Sequence, residues 1–207
     1  MENISPTRMN LLSRRKQIAL ALQGIELLKR KRDALVNNFF KVARIASRSR
    51  RELESLAFQA YKNLALSKAF TRPEELRVVE ISSSREILSE IEIKSIWGVK
   101  VPEIKTPFLR REPWERDWNP HLQSIYTLKA SEGFEHLMES LISLANEEIK
   151  IERLGEEIKK TTRRVNALEQ VVVPQLRNEI LFIKSVLEER EREDIFRLKR
   201  LKKKRQG

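Results

Sequence analysis

From Thr7 to Phe70 the chain contains no proline and a single glycine, Gly24, and its apolar residues fall on a seven-residue repeat. With Leu11 as heptad position a, the a series is Leu11, Ile18, Ile25, Arg32, Phe39, Ala46, Leu53 and Ala60. The d series is Arg14, Ala21, Leu28, Leu35, Val42, Ser49 and Leu56. Only Arg14, Arg32 and Ser49 interrupt the apolar stripe. A 3.5-residue period sustained this long predicts a left-handed coiled coil. At about 1.5 Å per residue such a helix is about 100 Å long. Ser5-Pro6 reads as its start, with Ser5 as N-cap and Pro6 in the first turn. Arg32 at an a position either fixes register or leads its long stem out of the seam, and snorkelling is the simpler reading.

The pattern breaks near Thr71-Arg72-Pro73, and five of the seven prolines lie between 71 and 125. Within that stretch Ile91, Ile93, Ser95, Trp97, Val99 and Val101 alternate with mostly polar neighbours, and Gly98 interrupts them. Period two with a central glycine predicts a short strand or hairpin. Trp114 and Trp118 are read as part of an exposed loop or small cap. Helical periodicity resumes near Tyr126 or Ala130. Leu137, Leu144, Ile151, Ile158, Val165 and Val172 recur every seven residues, with Leu154, Thr161 and Leu168 between them. Pro174 falls inside this pattern, which continues through Leu176, Ile180, Ile183 and Leu187. A kink near Pro174 is therefore expected, not a stop. Three segments result: helix 1–70, a middle segment 71–125 with a β-hairpin, and helix 126–207 ending in a basic tail.

Each arm alone would expose an apolar stripe, so the two should fold back on each other. The expected architecture is mainly α, a long antiparallel two-helix coiled coil with a short hairpin insert. With the turn near residue 100, facing positions have numbers that sum to roughly 200, to within a turn or two. Leu28 then lies near Val172, and Leu35 near Val165. Gly155, Thr161 and Thr162 thin the second seam. They admit a bulky neighbour or a second subunit, or they face the large Phe39.

Charge sharpens the picture. The net charge is +12, yet residues 33–182 contribute only +1 of it. Residues 1–32 carry +6 and residues 183–207 carry +5. Antiparallel pairing gathers both ends into one basic pole, including Arg8, Arg14, Arg15, Lys16, Arg197, Lys199, Arg200 and Lys203. Such a patch suits nucleic acid, an acidic protein surface or a membrane surface. Nucleic acid is the competing reading, but no aromatic is interleaved in the last eleven residues and no reader motif appears. No sequence-specific nucleic-acid binding is expected.

Signs of chemistry are few. The histidines, His121 and His136, have no metal-ligand spacing and read as ordinary surface or loop residues. Five scattered glycines cannot form a phosphate loop. The adjacent pairs Glu147-Glu148 and Glu156-Glu157 do not converge on a common substrate and read as solvated faces. The chain has no cysteine. No apolar run is long enough to span a bilayer, and the first residues lack a signal-peptide pattern. A soluble protein without catalytic residues, metal or cofactor is expected.

Several segments resemble one family, in order and on both arms. They are Ser5-Pro6-Thr7-Arg8-Met9-Asn10-Leu11-Leu12, Leu27-Leu28-Lys29-Arg30-Lys31-Arg32-Asp33-Ala34-Leu35 and Trp97-Gly98-Val99-Lys100-Val101-Pro102. Further along are Thr162-Arg163-Arg164-Val165-Asn166-Ala167-Leu168-Glu169, Val173-Pro174 and Arg190-Glu191-Arg192-Glu193-Asp194-Ile195-Phe196-Arg197-Leu198-Lys199. The series is similar to the D subunit of V/A-type rotary ATPases and ATP synthases. Residues 103–125 match it least. The resemblance implies a central rotor shaft, a non-catalytic subunit on the cytoplasmic side of the membrane. Its ends would insert into the catalytic hexamer of A and B subunits. Lower down it would bind the small F subunit of the rotor and a funnel-shaped adaptor on the membrane ring, without inserting into the membrane. The basic pole would then face the hexamer, and Ile91, Ile93, Trp97, Gly98, Val99 and Val101 would form the middle hairpin. The coiled-coil seam would comprise Leu11, Ile18, Ile25, Leu28, Leu35, Phe39, Val42, Leu53, Leu144, Ile151, Ile158, Val165, Leu168 and Val172. A basic scaffold or nucleic-acid-binding coiled coil is the alternative.

Overall fold

A computed structural model describes residues 5–84, 86–119 and 123–206, the last four of these by backbone alone. The elements in order are α1 (Arg8–Phe70), α2 (Pro73–Ser83), β1 (Glu90–Ile96), β2 (Val99–Lys105), α3 (Ile125–Ala167) and α4 (Val173–Gln206). A 3-10 turn, Pro113–Glu115, precedes α3, and a π turn, Leu168–Val172, joins α3 to α4. The chain divides into two compact units. One is Met1–Ala34 with Ile158–Gly207, and the other is Leu35–Glu157.

In the first unit α1 runs antiparallel to the end of α3 and to α4. Ion pairs fix that direction: Lys29 to Glu169 at 2.5 Å, Arg14 to Glu179 at 3.1 Å and Arg8 to Glu191 at 2.6 Å. Partner numbers rise on one helix as they fall on the other. Ile25, Val165 and Val173 form the buried cluster here, with Ala21, Leu28 and Leu168 packed against it. Two of the three polar interruptions of the first seam lie in this unit. Arg14 points to Glu179 in a half-buried ion pair. Arg32 turns out to its neighbour Asp33 at 3.0 Å, as a snorkelling stem does.

The start of α1 lies two residues later than expected. Thr7, not Ser5, is the N-cap: its Oγ1 accepts the Asn10 N–H at 3.2 Å and its carbonyl accepts the Leu11 N–H at 3.0 Å. Asn10 in turn donates its side-chain amide to the Ser5 carbonyl and Oγ. Pro6 therefore precedes the helix instead of opening it.

Around Pro174 the interruption is a π turn. The Val173 N–H donates to the Leu168 carbonyl, five residues back. One extra residue in the turn moves every later side chain by one position around the axis. Val172, expected in the seam, is 36% exposed, whereas Val173 is 5% exposed and joins the cluster. From there Leu176 and Ile183 carry the buried stripe onward. The physical cause is local. Pro174 offers no N–H and its ring crowds the carbonyl four residues back, so the turn before it widens.

In the second unit the later part of α1 runs antiparallel to α3. Tyr61 meets Phe134 edge-on at 5.4 Å, and Phe70 stacks on Tyr126 at 5.4 Å. Arg50 pairs with Glu148. Near the end of α1, Ser67 and Thr127 share a buried hydrogen bond at 2.6 Å, with Thr71 at 3.3 Å from Thr127. Where the repeat thins, Gly155 faces Phe39: a Cβ on Gly155 would sit 3.7 Å from Phe39 Cε2. The small residue there accommodates an aromatic ring of α1. The other close approach is Gly133 over buried Ala60, where an added Cβ would come within 3.2 Å of Ala60 Cβ and 3.3 Å of its Cα.

These glycines give a contrasting pair of expectations. Gly133→Val adds bulk against the Ala60 backbone and should destabilise by about 1–3 kcal/mol. Gly24→Ala meets nothing within 4 Å and should stabilise α1 by up to about 1 kcal/mol through helix propensity. Thermal unfolding of the two variants checks both signs.

Candidate functional site

The second unit carries a side structure held on one face of α3. β1 and β2 pair antiparallel, with Ile96 opposite Val99 and Glu90 opposite Lys105. The two-residue turn between them is Trp97-Gly98, with φ of 53° and 79°. Positive φ at both central positions is what a type I′ hairpin turn needs. Directly opposite residues share a face. Ile96, Val99, Val101 and Glu103 lie on the covered face, where Val99 and Val101 are buried. Ile91 and Ile93 lie on the other face, 69% and 70% exposed. Like charges Glu92 and Glu103 stand opposite each other. Each is neutralised diagonally, Glu92 by Lys105 at 2.5 Å and Glu103 by Lys94, with Lys150 of α3 3.6 Å from Glu103.

Glu135, Glu139, Asn146 and Lys150 recur along α3 at spacings of four, seven and four, which place them on one helical face. Each holds part of the middle segment. Asn146 Nδ2 donates to the Ile104 carbonyl at 2.9 Å, and its Oδ1 accepts the Ile104 N–H at 2.8 Å. Glu139 accepts from Arg110 Nε at 2.8 Å. Glu135 accepts from the Arg111 N–H and Nε, both at 3.1 Å, and from both Nη atoms of Arg116 at 3.1 and 3.2 Å. The Arg116 side chain has no exposure, and its guanidinium lies 5.8 Å from the Trp118 ring centre. Of the two expectations for this segment, an exposed loop or a small cap, buried Trp118 fits the cap, since it covers a buried cation. Trp114 is 78% exposed.

Hydrogen bonding from Lys94 holds the Glu103 carboxyl below its ordinary value, and the same bond raises Lys94. The lowered Glu103 contributes hairpin stability that is present above its free value and lost as pH falls through the folded one. The raised Lys94 contributes stability that is present below its free value and lost as pH rises through the folded one. Hairpin order should therefore be flat through neutral pH and weaken at both extremes. Glu103→Gln should abolish the acid limb, which the pH dependence of the Val99 and Val101 methyl resonances reads.

The first unit contains both basic ends. Arg8 and Arg14 are engaged with Glu191 and Glu179, and Arg197 lies 3.6 Å from Glu193. Arg15, Lys16, Lys199 and Arg200 are exposed, and the Lys203 side chain lies outside the described residues. Arg8 opens α1 and sits level with Glu191, so α4 from Arg192 to Gln206 continues past the start of α1. Along it Ile195, Phe196, Leu198 and Leu201 are all more than half exposed. The charge count locates this end, but the uncovered apolar residues appear only once the helix pairing is known.

Among the described residues there is no cluster of three potential metal ligands. His136 belongs to α3 beside the 108–113 segment, and His121 lies outside the described residues. The adjacent glutamates have cationic partners: Glu147 pairs with Lys150 at 3.1 Å and Glu156 with Arg153 at 3.4 Å along α3, and Glu148 with Arg50 of α1. Among the described residues no helix is long and apolar enough to cross a membrane.

Paired antiparallel helices with a hairpin bracketed to one of them define a helical coiled-coil element. The family model for the D subunit of ATP synthase matches residues 10–203. The V-type ATP synthase D subunit of Thermus thermophilus is 49% identical over 202 residues, covering 98% of this chain and 89% of that protein. The V-type D subunit of Deinococcus radiodurans is 41% identical, covering 99% and 90%. The A-type ATP synthase D subunit of Pyrococcus furiosus is also 41% identical, covering 96% and 93%. The chain belongs to the family of ATP synthase D subunits.

Proposed function

We propose that this chain is the central rotor shaft of a V/A-type ATPase or ATP synthase. It transmits torque between an ion-translocating membrane ring and a catalytic hexamer of A and B subunits. It takes no part in the chemistry. The observation that carries this reading is the end-to-end match to proteins named as D subunits of V-type and A-type ATP synthases. Paired helices suit the task, since two helices with a shared seam resist bending and twisting better than one.

The hexamer-facing end is the basic one. Past Glu191 the apolar residues of α4 have no counterpart in α1, and an exposed apolar stripe of that kind suits a contact with another protein. Arg197, Lys199 and Arg200 alternate with it, which suits a sleeve with acidic and polar walls. Contacts there must be numerous and individually weak, or the shaft would lock. The seam residues from Leu11 to Leu168 transmit the load between the helices, with Val173 in the place expected for Val172. The small F subunit and a funnel-shaped adaptor complete the rotor, and the assembly lies on the cytoplasmic side of the membrane as a peripheral part.

Tagging this chain and purifying it from native membranes tests the proposal. The expected result is a complex containing the A, B and F subunits and the adaptor, with ATPase activity absent from the isolated chain. Recovery of the chain with nucleic acid and without these subunits would sink it.

A further inference from the structure

The two edges of the hairpin differ. A two-residue turn makes Ile96 and Val99 a hydrogen-bonded pair, and such pairs then alternate along the ladder. Glu92, Lys94 and Ile96 therefore direct their backbone groups toward β2, while Ile91, Ile93 and Ser95 direct theirs outward. The same alternation turns Lys100, Pro102 and Ile104 of β2 outward. That edge is largely closed. Pro102 has no N–H, and Asn146 takes both the N–H and the carbonyl of Ile104. On β1, by contrast, no hydrogen bond to Ile91, Ile93 or Ser95 from outside the hairpin is seen among the described residues.

Two further features belong to the same edge. The side chains of Ile91 and Ile93 are mostly exposed, and an open edge bearing branched apolar residues is a template for another strand. Just past the end of β1, Trp97 holds φ of 53° and is 62% exposed. Positive φ suits asparagine or glycine at this turn position and is unfavourable for a bulky aromatic. A tryptophan held exposed on a strained backbone suits a contact with another molecule, and tryptophan is among the residue types enriched at the energetic centres of protein interfaces.

We propose that the free edge of β1 is a strand-addition site for an extended segment of another protein in the rotary assembly. The incoming backbone pairs with Ile91, Ile93 and Ser95. Its side chains above the sheet are apolar, matching Ile91 and Ile93, and the Trp97 indole closes the end of the added strand. Acidic Glu86 and Glu90 lie at the start of β1, so a basic residue on the incoming segment belongs at that end. Main-chain pairing supplies affinity, and the apolar and charged positions supply selection. The proposal rests on the rotor reading for where the partner is found.

Residue-resolved hydrogen exchange tests it on the full chain alone, at low and high concentration, and in the assembly purified through a tag on this chain. In the assembly the amides of Ile91, Ile93 and Ser95 should exchange at least about tenfold more slowly than in the isolated chain. Those of Glu92, Lys94 and Ile96 should be protected in both. Ile93→Pro removes an outward donor without touching the ladder, and should release Ile91 and Ser95 to the isolated rate in an otherwise assembled complex. Unchanged rates at the three outward amides in an intact assembly overturn the proposal while leaving the rotor reading in place. Slowing that appears in the isolated chain and grows with concentration overturns it in favour of a second copy. If the tag brings down the chain alone, the rotor reading falls and takes the proposed partner with it.

Discussion

Glu135→Ala should cost about 3–5 kcal/mol, the loss seen when one member of a buried ion pair is removed. Among the described residues Glu135 is the sole counter-charge paired with Arg116, whose side chain is fully covered. It also satisfies the Arg111 N–H and Nε. Truncation leaves a buried guanidinium without its counter-charge, held only by the Arg111 carbonyl and the Trp118 ring, and strands a backbone donor. Among the described residues Arg116 Nε has no hydrogen-bond partner, so the group has no slack to absorb the loss. Denaturant unfolding followed by tryptophan fluorescence is a direct readout, because Trp118 is buried against Arg116 whereas Trp97 and Trp114 are exposed. Glu139→Ala is the control. Arg110 is half exposed, a pair of that kind is worth under about 1 kcal/mol, and the Leu109 N–H reaches Glu139 only at a long 3.4 Å. Converting Arg116 and Glu135 together to apolar residues of similar size should recover most of the loss, since the penalty lies in the orphaned charge. If Glu135→Ala and Glu139→Ala cost the same, the 109–118 segment is not anchored through Arg116.

The contrast between these glutamates marks the limit of what the sequence discloses. The seven-residue repeat is a one-dimensional pattern, so both long helices and their antiparallel pairing follow from counting. The alternation around Gly98 likewise discloses the hairpin. Glu135, Glu139, Asn146 and Lys150 lie on one face of α3, but a polar stripe on a helix reads as solvated surface. Nothing local states that Asn146 will meet the peptide of Ile104, forty-two positions away. The sequence leaves Trp118 between an exposed loop and a small cap because its cover depends on Arg116, and Glu135 supplies the charge that lets Arg116 be buried. The exchange of Val172 for Val173 has another origin. Pro174 announces a disturbance, but the choice between a kink and one extra residue in the turn depends on what the following side chains gain. The π turn returns Leu176 and Ile183 to the buried side. α2 is not legible in the sequence because its eleven residues are too few to show a clear period. The basic end needs only charge counting and pairing. The strand-addition edge needs the alternation of hydrogen bonds, which is a property of the folded hairpin.

The rotor reading makes its sharpest claim about where a covalent bond is harmless. Ser67 Oγ and Thr127 Oγ1 are 2.6 Å apart and buried, one on α1 and the other on α3. Cysteines at both positions put two sulfurs where a disulfide of about 2 Å can close with little movement. The natural chain has no cysteine to interfere. The closed loop spans 60 positions, and the chain-entropy model assigns it about 4 kcal/mol of stabilisation. In the assembled enzyme this bond should leave ATPase turnover and ion coupling at the unlinked level, because both helices belong to one turning body. A disulfide from Lys199→Cys to a cysteine placed on the surrounding hexamer should abolish turnover, and a reducing agent should restore it. The two bonds share their chemistry and differ in what they join, within the rotor or from rotor to stator. Rotation requires that only the second stop the machine. Full activity with the shaft fixed to the hexamer would rule out a turning shaft, whereas loss from the Ser67–Thr127 bond in an intact complex would mean that the helices move against each other during the cycle.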